Sequence, residues 1–76
     1  MVKAYILVEI EAGQSDQVVA NLRDIPGVVM ADPITGPYDI IAVVEVEDSN
    51  VLGSLIRTKL QQVGGVKRTV TCLSIG

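Results

Sequence analysis

Residues Val28–Glu47 read VVMADPITGPYDIIAVVEVE, two β-rich runs broken only by Gly36-Pro37. Val28–Thr35 and Tyr38–Glu47 carry the Val, Ile and Tyr residues that suit a pleated surface. Their connection is too short to hold a helix, so the two strands follow one another and run antiparallel. Pro33 has no N–H to give to a ladder, which assigns the first of them to a sheet edge.

Upstream, Val18, Val19, Leu22 and Ile25 recur at helical spacing, with Ser15 or Asp16 as the cap and Pro26-Gly27 as the stop. Before that helix, Val2–Glu11 (VKAYILVEIE) alternates. Val2, Ala4, Ile6, Val8 and Ile10 form a wholly apolar parity; Lys3, Tyr5, Leu7, Glu9 and Glu11 are apolar only in the middle. Downstream, Asp48, Ser49 and Asn50 supply capping chemistry for a second helix with Leu52, Leu55, Ile56, Leu60 and Val63 as its buried stripe. Gly64-Gly65 ends it, and Val66–Ile75 (VKRTVTCLSI) is the last strand.

The order is β-α-β-β-α-β within one domain spanning residues 1–76. Right-handed crossovers turn it into an α+β, ferredoxin-like sandwich, a four-stranded antiparallel sheet with two helices on one face. The first and third strands are then central. Tyr5, Leu7, Ile41 and Val43 fall on the face without helices, and we predict that a second copy buries them. The abundance of β-branched residues agrees, since 21 of 76 residues are Val or Ile, more than one small core needs.

Composition excludes several functions. With 6 Lys plus Arg against 9 Asp plus Glu, the net charge is −3, a poor counterion for phosphate, so direct nucleic-acid binding is not expected. Without His, the commonest general base and metal ligand are missing. Cys72 is the only cysteine and has no CxxC partner; it alternates with apolar positions and is expected to be buried and inert. No P-loop, dinucleotide-binding glycine pattern or Ser-His-Asp set occurs, so neither an enzyme nor a cofactor is expected. The run Val2–Ile10 is too short for a membrane span and has no cleavage site after it, which predicts a cytoplasmic protein.

Thr35-Gly36-Pro37-Tyr38-Asp39 is the most unusual string. Turn chemistry alone accounts for it: Gly and Pro bend the chain, Tyr covers a rim and Asp bonds nearby backbone. The same residues also place free N–H groups beside a carboxylate, which suits the two charged ends of an amino acid. Thr69 and Thr71 alternate on the last strand, read as returning toward the Gly36 end. Either they serve β-propensity on a half-exposed face, or they offer hydroxyls to a shared interface pocket. Glu9, Glu11, Glu45 and Glu47 close the two central strands. Gathered at one end they could hold a divalent cation; a solvated acidic rim is the plainer expectation. Lys67-Arg68 reads as a surface pair near acidic neighbours.

Pro26-Gly27-Val28, then Ile34-Thr35-Gly36-Pro37-Tyr38-Asp39-Ile40, then Gly65-Val66-Lys67-Arg68-Thr69-Val70-Thr71 together resemble the effector-binding (RAM) domain of the Lrp/AsnC (feast/famine) transcription regulators. The resemblance covers nearly the whole chain and implies much about function. Such domains dimerise through their sheets, assemble into rings (often octamers or decamers) and bind amino acids at contacts between dimers. Carried over by position, Gly36, Tyr38 and Asp39 form the pocket turn, Thr69 and Thr71 match its Thr-x-Thr strand, and Thr35 is a softer candidate.

Two departures stand out. Pro37 occupies a place where many regulators have a polar residue, which removes one backbone donor. Met1 leads straight into the first strand without a helix-turn-helix, so the chain looks like the stand-alone form of the module. The expected function is an oligomeric sensor of a free amino acid that acts on transcription through a full-length regulator. The alternatives are a structural oligomerisation module without ligand and an ACT-like allosteric domain.

Overall fold

The computed structural model describes every residue from Met1 to Gly76. Its elements are β1 (Val2–Ile10), α1 (Ser15–Arg23), β2 (Val28–Pro33), β3 (Ile40–Val46), α2 (Ser49–Leu55) and β4 (Val66–Leu73). The strands form one antiparallel sheet in the order β2-β3-β1-β4, the expected ferredoxin-like arrangement. Pro33 does lie on an edge strand, where a missing N–H costs no ladder bond.

The apolar parity of β1 faces the helices. Ala4, Ile6 and Val8 join Ile40, Ala42, Val44 and Val46 of β3 in one buried cluster, roofed by Val18, Val19 and Leu22 of α1 and by Leu52, Ile56 and Leu60. That last trio repeats every four residues, more than the 3.6 of an α-helix, so a regular helix would rotate Leu60 away from the sheet. The chain instead widens into one π-helical turn over Ile56–Leu60, closed by a Gln61 N–H to Ile56 carbonyl bond of 2.8 Å. All three side chains stay buried.

The other sheet face carries no helix. In register across it lie Tyr5 with Val43 and Leu7 with Ile41, as the sequence pattern requires. Met30 of β2 also stands beside Val43, and Cys72 of β4 beside Tyr5. Tyr5 is exposed and Leu7 and Ile41 are half-buried, while Val43 is shielded within the row. Charges border it: Lys3 lies opposite Glu45 with its ammonium 5.4 Å from the Tyr5 ring, and Glu9 lies opposite Arg68.

Several expectations need correction. Cys72 is exposed, because its parity on β4 is that of the bare face. Glu9, Glu11, Glu45 and Glu47 do not gather, because β1 and β3 are antiparallel and their C-terminal ends lie at opposite ends of the sheet. No group of three acidic or other metal-ligating side chains comes together. β4 starts at the Gly36 end and runs away from it. All four strands stop short: β1 at Ile10 instead of Glu11, β2 at Pro33 instead of Thr35, β3 spans Ile40–Val46 instead of Tyr38–Glu47, and β4 ends at Leu73 instead of Ile75. At α1, Gln14 is the N-cap with no side-chain bond, and the helix ends at Arg23, before the Pro26-Gly27 stop. Asp48 caps α2 as expected, accepting the Val51 N–H at 2.9 Å.

Both helix-to-strand connections use the same device. Gly27 and Gly65 adopt φ of +101° and +96°, and each precedes a valine that starts a strand. A Cβ on Gly27 would lie 2.9 Å from Leu55 Cδ1, and one on Gly65 2.9 Å from Val18 Cγ2. Gly36 has neither a positive φ nor a neighbour within 4 Å of such a Cβ. Gly65→Ala should therefore cost about 1–3 kcal/mol in urea unfolding, while Gly36→Ala should stay within about 0.5 kcal/mol of the parent.

Candidate functional site

The antiparallel order brings the exit of β1, the entry to β3 and the entry to β4 to one end of the sheet. The turn of residues 34–39 between β2 and β3 sits there, and Asp39 ties it down. The Asp39 N–H donates to the Val8 carbonyl at 2.9 Å, and the Asp39 carbonyl accepts the Ile34 N–H at 2.9 Å. Its carboxylate Oδ2 accepts the Ile10 N–H at 3.0 Å, beside the register shift between Glu9 and Ile10. One residue thus links the ends of three strands. Oδ1 keeps its lone pairs for another donor.

Between these anchors, the N–H groups of Thr35, Gly36 and Tyr38 donate to nothing else in the chain. Pro37 contributes no donor. Tyr38 reaches toward β4: the Arg68 guanidinium lies 5.9 Å from its ring centroid and also pairs with Glu9 at 3.4 Å. That exposed ion pair is worth a few tenths of a kcal/mol to about 1 kcal/mol, so it orients more than it stabilises.

Thr69 and Thr71 lie opposite Val8 and Ile6, on the helix side of β4. Gln61 Nε2 donates to Thr69 Oγ1 at 3.1 Å, while Thr71, further from the turn, is exposed. Thr69 borders a cavity of about 390 Å³ with Gln61, Gln62, Lys67 and Arg68. The sequence-predicted residues therefore fall in two groups. Thr35, Gly36, Tyr38 and Asp39 share the turn; Thr69 and Thr71 share the helix side of β4. Arg68 connects them, its guanidinium facing the Tyr38 ring at 5.9 Å and lining the cavity of Thr69. Sequence reasoning left Arg68 and Gln61 out. The signal for Arg68 was its adjacency to Thr69; Gln61 had none, because its reach depends on how the π-helical turn ends.

A small α+β sandwich with a donor-rich, partly open sheet end and a bare apolar face has the architecture of a small-molecule-binding module. Comparison with known proteins gives it a family. The Lrp/AsnC ligand binding domain family model matches residues 3–76, and the chain belongs to that family. An uncharacterized HTH-type transcriptional regulator of Pyrococcus horikoshii, PH0140, is 34% identical over 70 residues. The match takes in 92% of this chain and 44% of that protein, so the chain spans about half the length of this curated relative. The crystal structure of FFRP-DM1 superposes with a TM-score of 0.93 at 32% identity, over 99% of this chain and 100% of that one. A Neisseria meningitidis transcriptional regulator solved as an L-Met complex shares the fold, with a TM-score of 0.88 at 22% identity over 99% of this chain and 50% of that one.

The hydrogen bond from Ile10 separates two roles for Asp39. Asp39→Ala should lose about 1–2 kcal/mol of stability in denaturant titration, and the Ile10 amide should exchange faster. Asp39→Asn keeps an acceptor for that N–H and should recover most of the loss.

Proposed function

We propose that this chain is a regulatory module that binds a free amino acid where copies of it meet. The turn at Gly36 carries the reading. Its unused N–H groups on Thr35, Gly36 and Tyr38 suit a carboxylate, and Asp39 Oδ1 beside them suits an ammonium. Lys67 and Arg68 add cationic donors at the same sheet end, and Thr69 and Thr71 offer hydroxyls. Every one of these groups is open to solvent or half-buried, so one chain alone gives a ligand little enclosure. A second subunit supplies the missing wall. The L-Met complex of the Neisseria relative supports an amino acid as the ligand class.

Association through the bare face is the second half of the proposal. Tyr5, Leu7, Ile41, Val43 and Met30 make an apolar strip with charges at its margins, as a sheet-on-sheet contact needs. Dimers then join into a closed ring whose contacts hold the amino acid. A ligand that binds the ring better than its parts favours the ring, within the limit of that difference in affinity. In this reading the module works in the cytoplasm, catalyses nothing, takes no cofactor and contacts no nucleic acid itself. No helix is long and apolar enough to cross a membrane. Its output is co-assembly with full-length regulators of the same family.

Calorimetric titration with each of the twenty amino acids tests the ligand. Heat from at least one, weakened on the order of tenfold or more by Asp39→Ala, is the expected outcome; silence across the whole set refutes it. The bare face has a separate test. Light scattering should give a multiple of the 8.1 kDa chain mass, and Val43→Asp should reduce it toward the single chain. Cys72, beside Tyr5, should react slowly with a thiol reagent in the assembly and rapidly in that variant. A parent protein already at single-chain mass rules out the interface.

A further inference from the structure

The largest cavity lies away from the turn. A groove of about 430 Å³ runs between α2 with its π-helical extension and the connection from α1 to β2. Its apolar surface comes from Ile25 and Pro26 on one side and Val51 and Leu55 on the other. Val51 is 42% exposed, on a helix whose other apolar positions, Leu52 and Leu55, are covered or half-covered. Beside it, the missing Cβ of Gly27 lets the connection pass close to Leu55.

The polar groups of the groove are few and one-sided. Lys59 stands in its wall and makes no ion pair, unlike Arg23 and Arg68. Asn50 and Ser54 side chains make no hydrogen bond within the chain and remain free for a ligand, whereas the Thr58 hydroxyl is spent on the Ser54 carbonyl at 2.7 Å. No acidic residue lines the groove, although Asp plus Glu number 9 in the chain. A cleft of this size with an apolar floor and a few polar side chains is built like a small-molecule site. Its one charge, on Lys59, is complementary to an anion, and it offers an ammonium group no carboxylate, only neutral oxygens such as those of Asn50 and Ser54.

We propose that this groove is a second ligand site, selective for an aliphatic carboxylate that lacks an α-ammonium group. The alkyl chain lies on Ile25, Pro26, Val51 and Leu55, and the carboxylate meets Lys59 with Asn50 or Ser54 as neutral donor. The site is independent of the amino-acid reading of the Gly36 turn, since the two share no residue. It favours the carbon skeleton of an aliphatic amino acid without its amino group, so the two sites would sort related molecules by one charge.

The test uses 4-methylpentanoate and leucine, which share a skeleton and differ in the ammonium, titrated into ¹⁵N-labelled full chain. With 4-methylpentanoate, amides of Ile25, Val51, Leu55 and Lys59 should shift while those of Gly36 and Tyr38 stay still. Acetate should bind there on the order of tenfold more weakly, having lost most of the apolar contact. Lys59→Gln should weaken binding roughly fivefold, as an exposed charge pair allows. Val51→Asp, at an exposed position, should abolish it. The proposal is overturned by groove amides that do not move at any soluble concentration, or that move equally with leucine. Indifference to Lys59→Gln overturns it too. Groove shifts that follow protein concentration alone would make this surface a contact between copies instead. Leucine shifts confined to the Gly36 turn would bear only on the amino-acid reading.

Discussion

Two helices can cover only one face of a four-stranded sheet, and the rest of this structure follows from that shortage. The central strands answer it with apolar residues on both parities, so burying Ile6 and Val8 on one side leaves Tyr5 and Leu7 on the other. The same shortage falls hardest on β4. The helices pack mainly over β2 and β3, while β4 pairs with β1 alone in the sheet. Residues 71–73 are all exposed, among them Cys72 on the bare face, whose alternation with apolar positions suggested burial.

The edges of the sheet are protected unequally. On β2, Arg23 Nε donates to the Ala31 carbonyl at 2.9 Å, the bulge at Val28–Met30 breaks the register, and Pro33 offers no N–H. Each device discourages another strand from adding there. β4 has only its charged start, Lys67-Arg68, and those residues belong to the polar sheet end. The β2 edge is therefore blocked to strand addition, while the bare face and the β4 edge carry no comparable protection.

The polar sheet end has its own logic. Turn 34–39 is long enough to hold free amides yet is fixed at Asp39 by three bonds to β1 and β2 neighbours. Anchoring on both sides holds the unused donors pre-organised in one geometry. Arg68 extends the arrangement to β4, its guanidinium 5.9 Å from the Tyr38 ring centroid and paired with Glu9. The turn was legible as a candidate because Gly, Pro, Tyr and Asp in that order have distinct turn roles. The joint between the two halves of the candidate site was not, because Arg68 reads as an ordinary surface cation until the strand register sets it near Tyr38.

Element order, the helix-facing residues, the edge position of Pro33 and the bare-face quartet of Tyr5, Leu7, Ile41 and Val43 were all determined by the sequence. These follow from period-two and helical spacing, local properties of the backbone that need no knowledge of the partner strand. Tertiary structure alone decided that the four glutamates separate, that Thr69 and Thr71 turn to the helix side, that Cys72 is exposed, and that the second helix widens to keep Leu60 in the core. Each of these depends on strand direction, register or the reach of a roofing helix. Those are fixed by contacts between residues far apart in the chain, and a pattern along one strand carries no record of what lies opposite it.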